Sequence, residues 1–165
     1  MNNFELLPSR KAGLKRLKAF LPSAGKEYSA LRNYDLGQNN HIHVSMLSPY
    51  IRHRAITETE VLKSVLGSYS TKSAEKFIQE IFWRTYWRGW LEMRPSIWAD
   101  YCSSLNQLLD QLETQSGFRK SWEDTCQGNT GIECFDIWAK ELFDTGYLHN
   151  HARMWFASIW IHTLE

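Results

Sequence analysis

An all-α fold is predicted for this 165-residue chain by three observations. Apolar residues recur at the 3.6-residue period of a helix along most of its length. The periodic stretches end on prolines and glycines placed as helix stops, and Thr57 with Glu60 has the reciprocal spacing that opens a helix. No segment sustains the apolar–polar alternation of a half-buried strand. One domain is expected, because a chain of this length can bury a sizeable core.

The elements follow in order. Leu14, Leu17 and Phe20 set a helix over Ser9 to Leu21, with Lys and Arg between them and Pro22 as the stop. A short helix is expected from Lys26 to about Asn33, followed by a polar loop, DLGQNNHIH. Thr57 and Glu60 then open a helix that closes at Gly67. The longest helix is predicted from about Ser73 to Met93, stopped by Pro95. Leu105, Leu108, Leu109 and Leu112 place another over Ser103 to Gln115, ending before Gly117. After the turn QGNTG come a helix from about Cys134 to Thr145, closed by Gly146, and a last one from about Leu148 onward.

Composition is that of a globular protein, 43% apolar and 22% charged, with aromatics high at 14%. No apolar run is long enough to cross a bilayer, and the first residues lack the apolar centre of a secretory signal, so a cytoplasmic location is expected. Cys102, Cys126 and Cys134 show no Cys-x-x-Cys spacing, which argues against a disulfide framework, a zinc site or an iron–sulfur cluster. His41-x-His43 and His149-x-His151 are read as surface or capping histidines; no metal is expected. The loop GNTG superficially matches the GxxG of a KH domain, but that fold needs strands this chain does not offer. Residues 1–54 carry net +6 and the remainder −5. Such a basic first third is either a solvated helix face or a surface for phosphates.

Two helices carry polar groups where core is expected. On KFIQEIFWRTYWRGW, steps of 100° gather Glu80, Trp83, Arg84, Trp87 and Trp90 on one broad side, with Ile78, Phe82 and Tyr86 opposite. A helix apolar nearly all round is buried, so Glu80 is expected among indoles, either paired with Arg84 or touching a ligand. On TGYLHNHARMWFASIW, Asn150, Arg153, Met154 and Ala157 share a stripe. The alternatives are an interhelical hydrogen bond or a pocket for a planar, partly polar ligand.

Four blocks in order carry a resemblance: SMLSPYIRHRAIT, QEIFWRTYW, GNTGIECFD and TGYLHNHARMWFAS, with a weaker match at GKEYSALRNYD. Together they resemble the helical FAD-binding domain of the DNA photolyase/cryptochrome family. The resemblance implies an all-α multi-helical bundle over residues 1–165, without the antenna domain and with the C-terminal part of the family domain missing. It implies FAD as cofactor, with Tyr28, Ser45, Met46, Leu47 and Ser48 at positions that contact phosphates and ribityl, Arg84 at another flavin contact, Asn150 facing flavin N5, and Arg153 beside the ring. Glu80, Trp83 and Met154 match residues lining the pocket for damaged bases, so Glu80 and Asn150 are the expected catalytic residues. The implied activity is blue-light repair of cyclobutane pyrimidine dimers by electron donation to a lesion flipped from DNA. The partner would be dimer-containing DNA, single- or double-stranded, the basic first third meeting its phosphates, and a second copy or a further segment could complete the site.

The chain departs from the family pattern at several positions. Val44 stands for a usual Thr, Phe77 for Trp, Thr125 for Trp and Glu133 for Pro, and His151 replaces an Arg that in the family touches DNA. Two alternatives follow, a cryptochrome-like photoreceptor without repair and a remnant without cofactor.

Overall fold

The computed structural model describes residues 7–38 and 40–164. Among them are nine α-helices, a 3-10 turn at Leu21–Ser23 and no strand, so the all-α prediction holds. The helices are α1 (Arg10–Phe20), α2 (Lys26–Leu31), α3 (Ser48–Arg52), α4 (Glu58–Leu66), α5 (Glu75–Glu92), α6 (Pro95–Thr114), α7 (Ser116–Cys126), α8 (Glu133–Thr145) and α9 (Asn150–Thr163). The chain divides into two compact units, Met1–Trp87 and Arg88–Glu165, with the boundary inside α5.

In the first unit, helix starts are fixed by side chains. Ser9 caps α1 by accepting from Ala12 N, and Thr57 and Glu60 form the complete capping box of α4. The buried faces of α1, α3, α4 and the first half of α5 meet in one core that includes Leu17, Leu47, Ile56, Val61, Val65 and Phe77. Phe20, Tyr28 and Phe77 form an aromatic trio, Tyr28 lying edge-on to both partners at 5.8 and 5.2 Å. Gly13 lets α1 approach the ring of Tyr50; a Cβ there would sit 3.1 Å from that ring.

In the second unit the core is Phe135 and its neighbours. Its ring stacks on Phe156 at 4.4 Å, nearly parallel, and meets Trp160 edge-on, which fastens α8 to α9. Asp136, in the first turn of α8, gathers the GNTG loop: its carboxylate accepts from Thr130 N, Thr130 Oγ1 and Gly131 N at 2.7–3.0 Å. Burial opposes the charge on this group, but the three donors outweigh it and hold its pKa below the ordinary value. Gly128 is required here. It sits at φ +66, and a Cβ would meet Asp136 O at 2.7 Å.

Two boundaries differ from expectation. Pro95 ends α5 and also begins α6, since a proline at the first helical position forfeits only an amide that has no intrahelical partner. Gly117, read as a stop, lies inside α7; the break falls at Gln115, which is extended. Arg119 then satisfies the frayed end of α6, donating to Leu112 O and Glu113 O at 2.7 and 3.0 Å.

Candidate functional site

The predicted site residues fall in both units. In the first, Tyr28 is buried within the aromatic trio. The block Ser45–Ser48 is a tight turn held from within and without. Arg16 Nε donates to Ser45 O at 2.9 Å, Leu47 N donates to Ser45 Oγ at 3.3 Å, and Met46 takes the left-handed conformation at φ 51. That conformation costs a non-glycine residue about 1 kcal/mol, so the turn is over-determined by its surroundings. Met46 and Leu47 are buried, which leaves Ser48, exposed, and Ser45, half-buried, as the hydroxyls of the block. The helix that Ser48 opens has five residues, and Pro49 removes one of its first amides.

The expectation for α5 needs correction. Its first half is core, but beyond Ile81 the side chains turn outward: Phe82, Trp83, Tyr86 and Trp87 are all more than half exposed. Glu80 is exposed too and pairs with neither Arg84 nor any other described residue. Arg84 instead faces Glu58 Oε1 at 3.4 Å, an ion pair that is half-buried on the arginine side. Its Nε is buried and has no hydrogen-bond acceptor. Glu58 also holds Arg54 at 2.6 Å. The missed signal was positional, since Glu58 is the first residue of a helix that sequence alone does not pair with α5. Trp83, Tyr86 and Trp87 form a run of edge-to-face contacts along the exposed side, with ring centres 5.5 and 5.4 Å apart.

In the second unit, α9 begins with a buried anchor, Leu148 and His149, after which the polar stripe faces outward. His149 caps the helix, Nδ1 accepting from His151 N at 3.3 Å, a buried cap rather than a surface histidine. Arg153 Nη2 donates to Asn150 Oδ1 at 3.1 Å, and Met154 is 63% exposed beside them. No described carboxylate pairs with Arg153. The contact uses the amide oxygen of Asn150 and leaves its NH2 free to donate. A recess of about 560 Å³ in the first unit is lined by Lys26, Lys72 and serines, and one of about 370 Å³ in the second lies beside Thr125 and Thr130; neither includes a predicted site residue. Among the described residues no cluster has the makings of a metal site.

In the second unit, α9 offers an amide NH2 and a guanidinium without a carboxylate partner on one exposed stripe. In the first unit, taken by itself, the half-exposed indole of Trp83 is a stacking face and Ser45 and Ser48 carry hydroxyls. By its family match, this all-helical chain falls in the class of flavin-binding helical domains. Residues 77–165 match the model of the FAD binding domain of DNA photolyase, and the chain belongs to that family. It is 29% identical to the mitochondrial deoxyribodipyrimidine photo-lyase of Saccharomyces cerevisiae over 91% of its own length and 27% of the yeast protein. It is likewise 29% identical to the deoxyribodipyrimidine photo-lyase of Alkalihalophilus pseudofirmus, over 88% of this chain and 29% of that one. To the Escherichia coli photo-lyase it is 22% identical, over 93% and 32%. The chain therefore spans between about a quarter and a third of the length of these relatives. No solved structure matches it at a significant level.

Proposed function

We propose that the chain is the flavin-holding portion of a light-driven DNA-repair enzyme acting on cyclobutane pyrimidine dimers. The observation that carries the reading is the outward stripe of α9, where Asn150 and Arg153 share one hydrogen bond and leave an NH2 and a cation unspent beside Met154. Exposed and hydrated as they are, these groups are available to a ligand that approaches the stripe. When bound, reduced FAD supplies an electron to the lesion on absorbing blue light, and the electron returns after the dimer splits.

The residues of this chain orient and stabilise. Asn150 donates to the flavin ring, and Arg153 offsets negative charge that builds there. Arg84 matches a flavin-contact position of the family, and its Nε lies buried 3.4 Å from Glu58 Oε1. Trp83 offers half of its indole as a stacking face for an unpaired base. Glu80, exposed and without a partner, accepts from the pyrimidine edge. The basic residues of the first third draw DNA phosphates.

One departure favours a second reading. His151 stands where the family carries an arginine that touches DNA, which suits a flavin photoreceptor that does not repair. Illuminating the FAD-loaded protein with a dimer-containing oligothymidylate separates the two. Repair is expected to be lost in Glu80→Gln while the flavin spectrum is unchanged. A flavin spectrum without dimer cleavage in the unaltered chain would support the photoreceptor, and absence of flavin uptake would sink both.

A further inference from the structure

We propose that the recess lined by Lys26 of α2 and by Lys72, just ahead of α5, binds a phosphate-bearing ligand. The inference stands apart from the flavin reading, since the recess includes none of the residues expected to hold FAD or a lesion. It has a volume of about 560 Å³, and its lining is completed by Ser29, Ala30, Ser70 and Ser73. That is room for a segment carrying two phosphates rather than for one small ion. Local chemistry sets the walls. Gly25 lets the start of α2 come against the ring of Tyr69, because a Cβ there would lie 2.7 Å from it. The Tyr69 hydroxyl donates to Pro22 O and ties the two segments together. Ser70 Oγ accepts from Ser73 N at 3.2 Å and donates to Ser73 Oγ at 3.1 Å, closing the turn that carries Lys72. Both lysines therefore rise from backbone that side chains hold in place.

The charge balance of the recess selects the ligand. Neither lysine has an ion pair or a hydrogen bond with any described residue, whereas the exposed cations Arg10, Arg54 and Lys120 each hold a carboxylate. The acids next to the recess in sequence are engaged elsewhere. Glu27 accepts from Ser23 Oγ at 3.1 Å, with His43 Nδ1 3.9 Å away, and Glu75 accepts from Gln79 Nε2 at 3.1 Å. No carboxylate lines the recess, so two like charges converge on it uncompensated. They call for an anion of at least two charges, which a diphosphate or two successive phosphates of a strand supply and a single carboxylate does not. An ammonium meets a phosphate as a point charge, and the hydroxyls of Ser29 and Ser73 add donors for its oxygens.

The test is a titration of the isotope-labelled whole chain, followed by amide chemical shifts, with inorganic pyrophosphate and separately with an undamaged oligothymidylate. Pyrophosphate is expected to shift the amides of Ser29, Ser70 and Lys72 saturably. Lys26→Gln combined with Lys72→Gln should weaken that binding at least about tenfold. Both lysines are exposed and unpaired, so the double variant keeps its thermal midpoint. Lys11→Gln, exposed but near the start of α1, should leave binding unchanged. An oligonucleotide that shifts the same amides and is weakened by the same double variant assigns the phosphates of a DNA strand; one that leaves them in place assigns a free phosphate compound. No saturable shift of these amides with either probe, or binding untouched by the double substitution, overturns the proposal, and neither result bears on flavin uptake.

Discussion

Arg153 shows how one side chain can be read for function. Its guanidinium has five donors, and the structure gives it a single neutral acceptor, Asn150 Oδ1, with no described carboxylate in reach. Arg84 makes the contrast, since its charge is met by Glu58 and only the geometry of its Nε is left wanting. Substituting Arg84 would strip a half-buried ion pair and so disturb the fold, whereas Arg153→Gln removes a charge that the protein alone does not use. The expected outcome is a thermal midpoint within the scatter of neutral surface changes, and an FAD dissociation constant raised about ten- to a hundredfold, as for loss of a charged hydrogen bond. Flavin fluorescence titration measures it, and unchanged affinity would remove Arg153 from the site. The stripe of Asn150, Arg153 and Met154 was legible in the sequence because it depends only on helical period. The partner of Arg84 was not, because Glu58 and Arg84 lie 26 positions apart and meet only through the packing of α4 against α5.

At the scale of the element, local chemistry sets the ends and tertiary packing decides the faces. The capping box of α4 was readable because Thr57 and Glu60 answer each other within one turn, and the structure adds a third member, Arg10, bidentate to Glu60 at 2.5 and 3.3 Å. The Arg10 hydrogen bond, then those from Thr57, hold the Glu60 carboxyl at about 2, against an ordinary 4.5. A carboxyl whose folded value is depressed stabilises fully above its unfolded value and loses that contribution as pH falls toward the folded one. Thermal midpoints should therefore drop between about pH 4.5 and 2 more steeply in the unaltered chain than in Glu60→Gln, and equal slopes would show the network to be without effect. The face of α5 was misread for a related reason. Period alone says that a helix apolar on all sides has core neighbours, but the bulky residues after Ile81 remain outside the core that Phe77, Ile78 and Ile81 enter. Helix α7 escaped notice because Gly117 reads as punctuation, whereas the extended Gln115 and the grip of Arg119 on the preceding carbonyls make the actual break.

On the scale of the molecule, burial is distributed unevenly, and stability must follow it. Among the described residues the first unit gathers fourteen buried side chains into one core, while the second buries four apolar ones, Phe135, Ala139, Leu148 and Ala152, and α6 contributes none. Local opening is cheapest where few apolar contacts are lost, so amide exchange should be ranked by element. The slowest amides are expected in α4 around Val61 and Val65, both fully buried, and in α5 near Phe77; α8 and α9 beside Phe135 should come next, and α6 last. The amides of α6 should exchange faster than those of α4 by several powers of ten, since each about 1.4 kcal/mol of opening energy changes the rate tenfold. If α6 were as protected as α4 in dilute solution, its exposed leucines and the indole of Trp98 would have to be covered within a single chain, contrary to the burial described here.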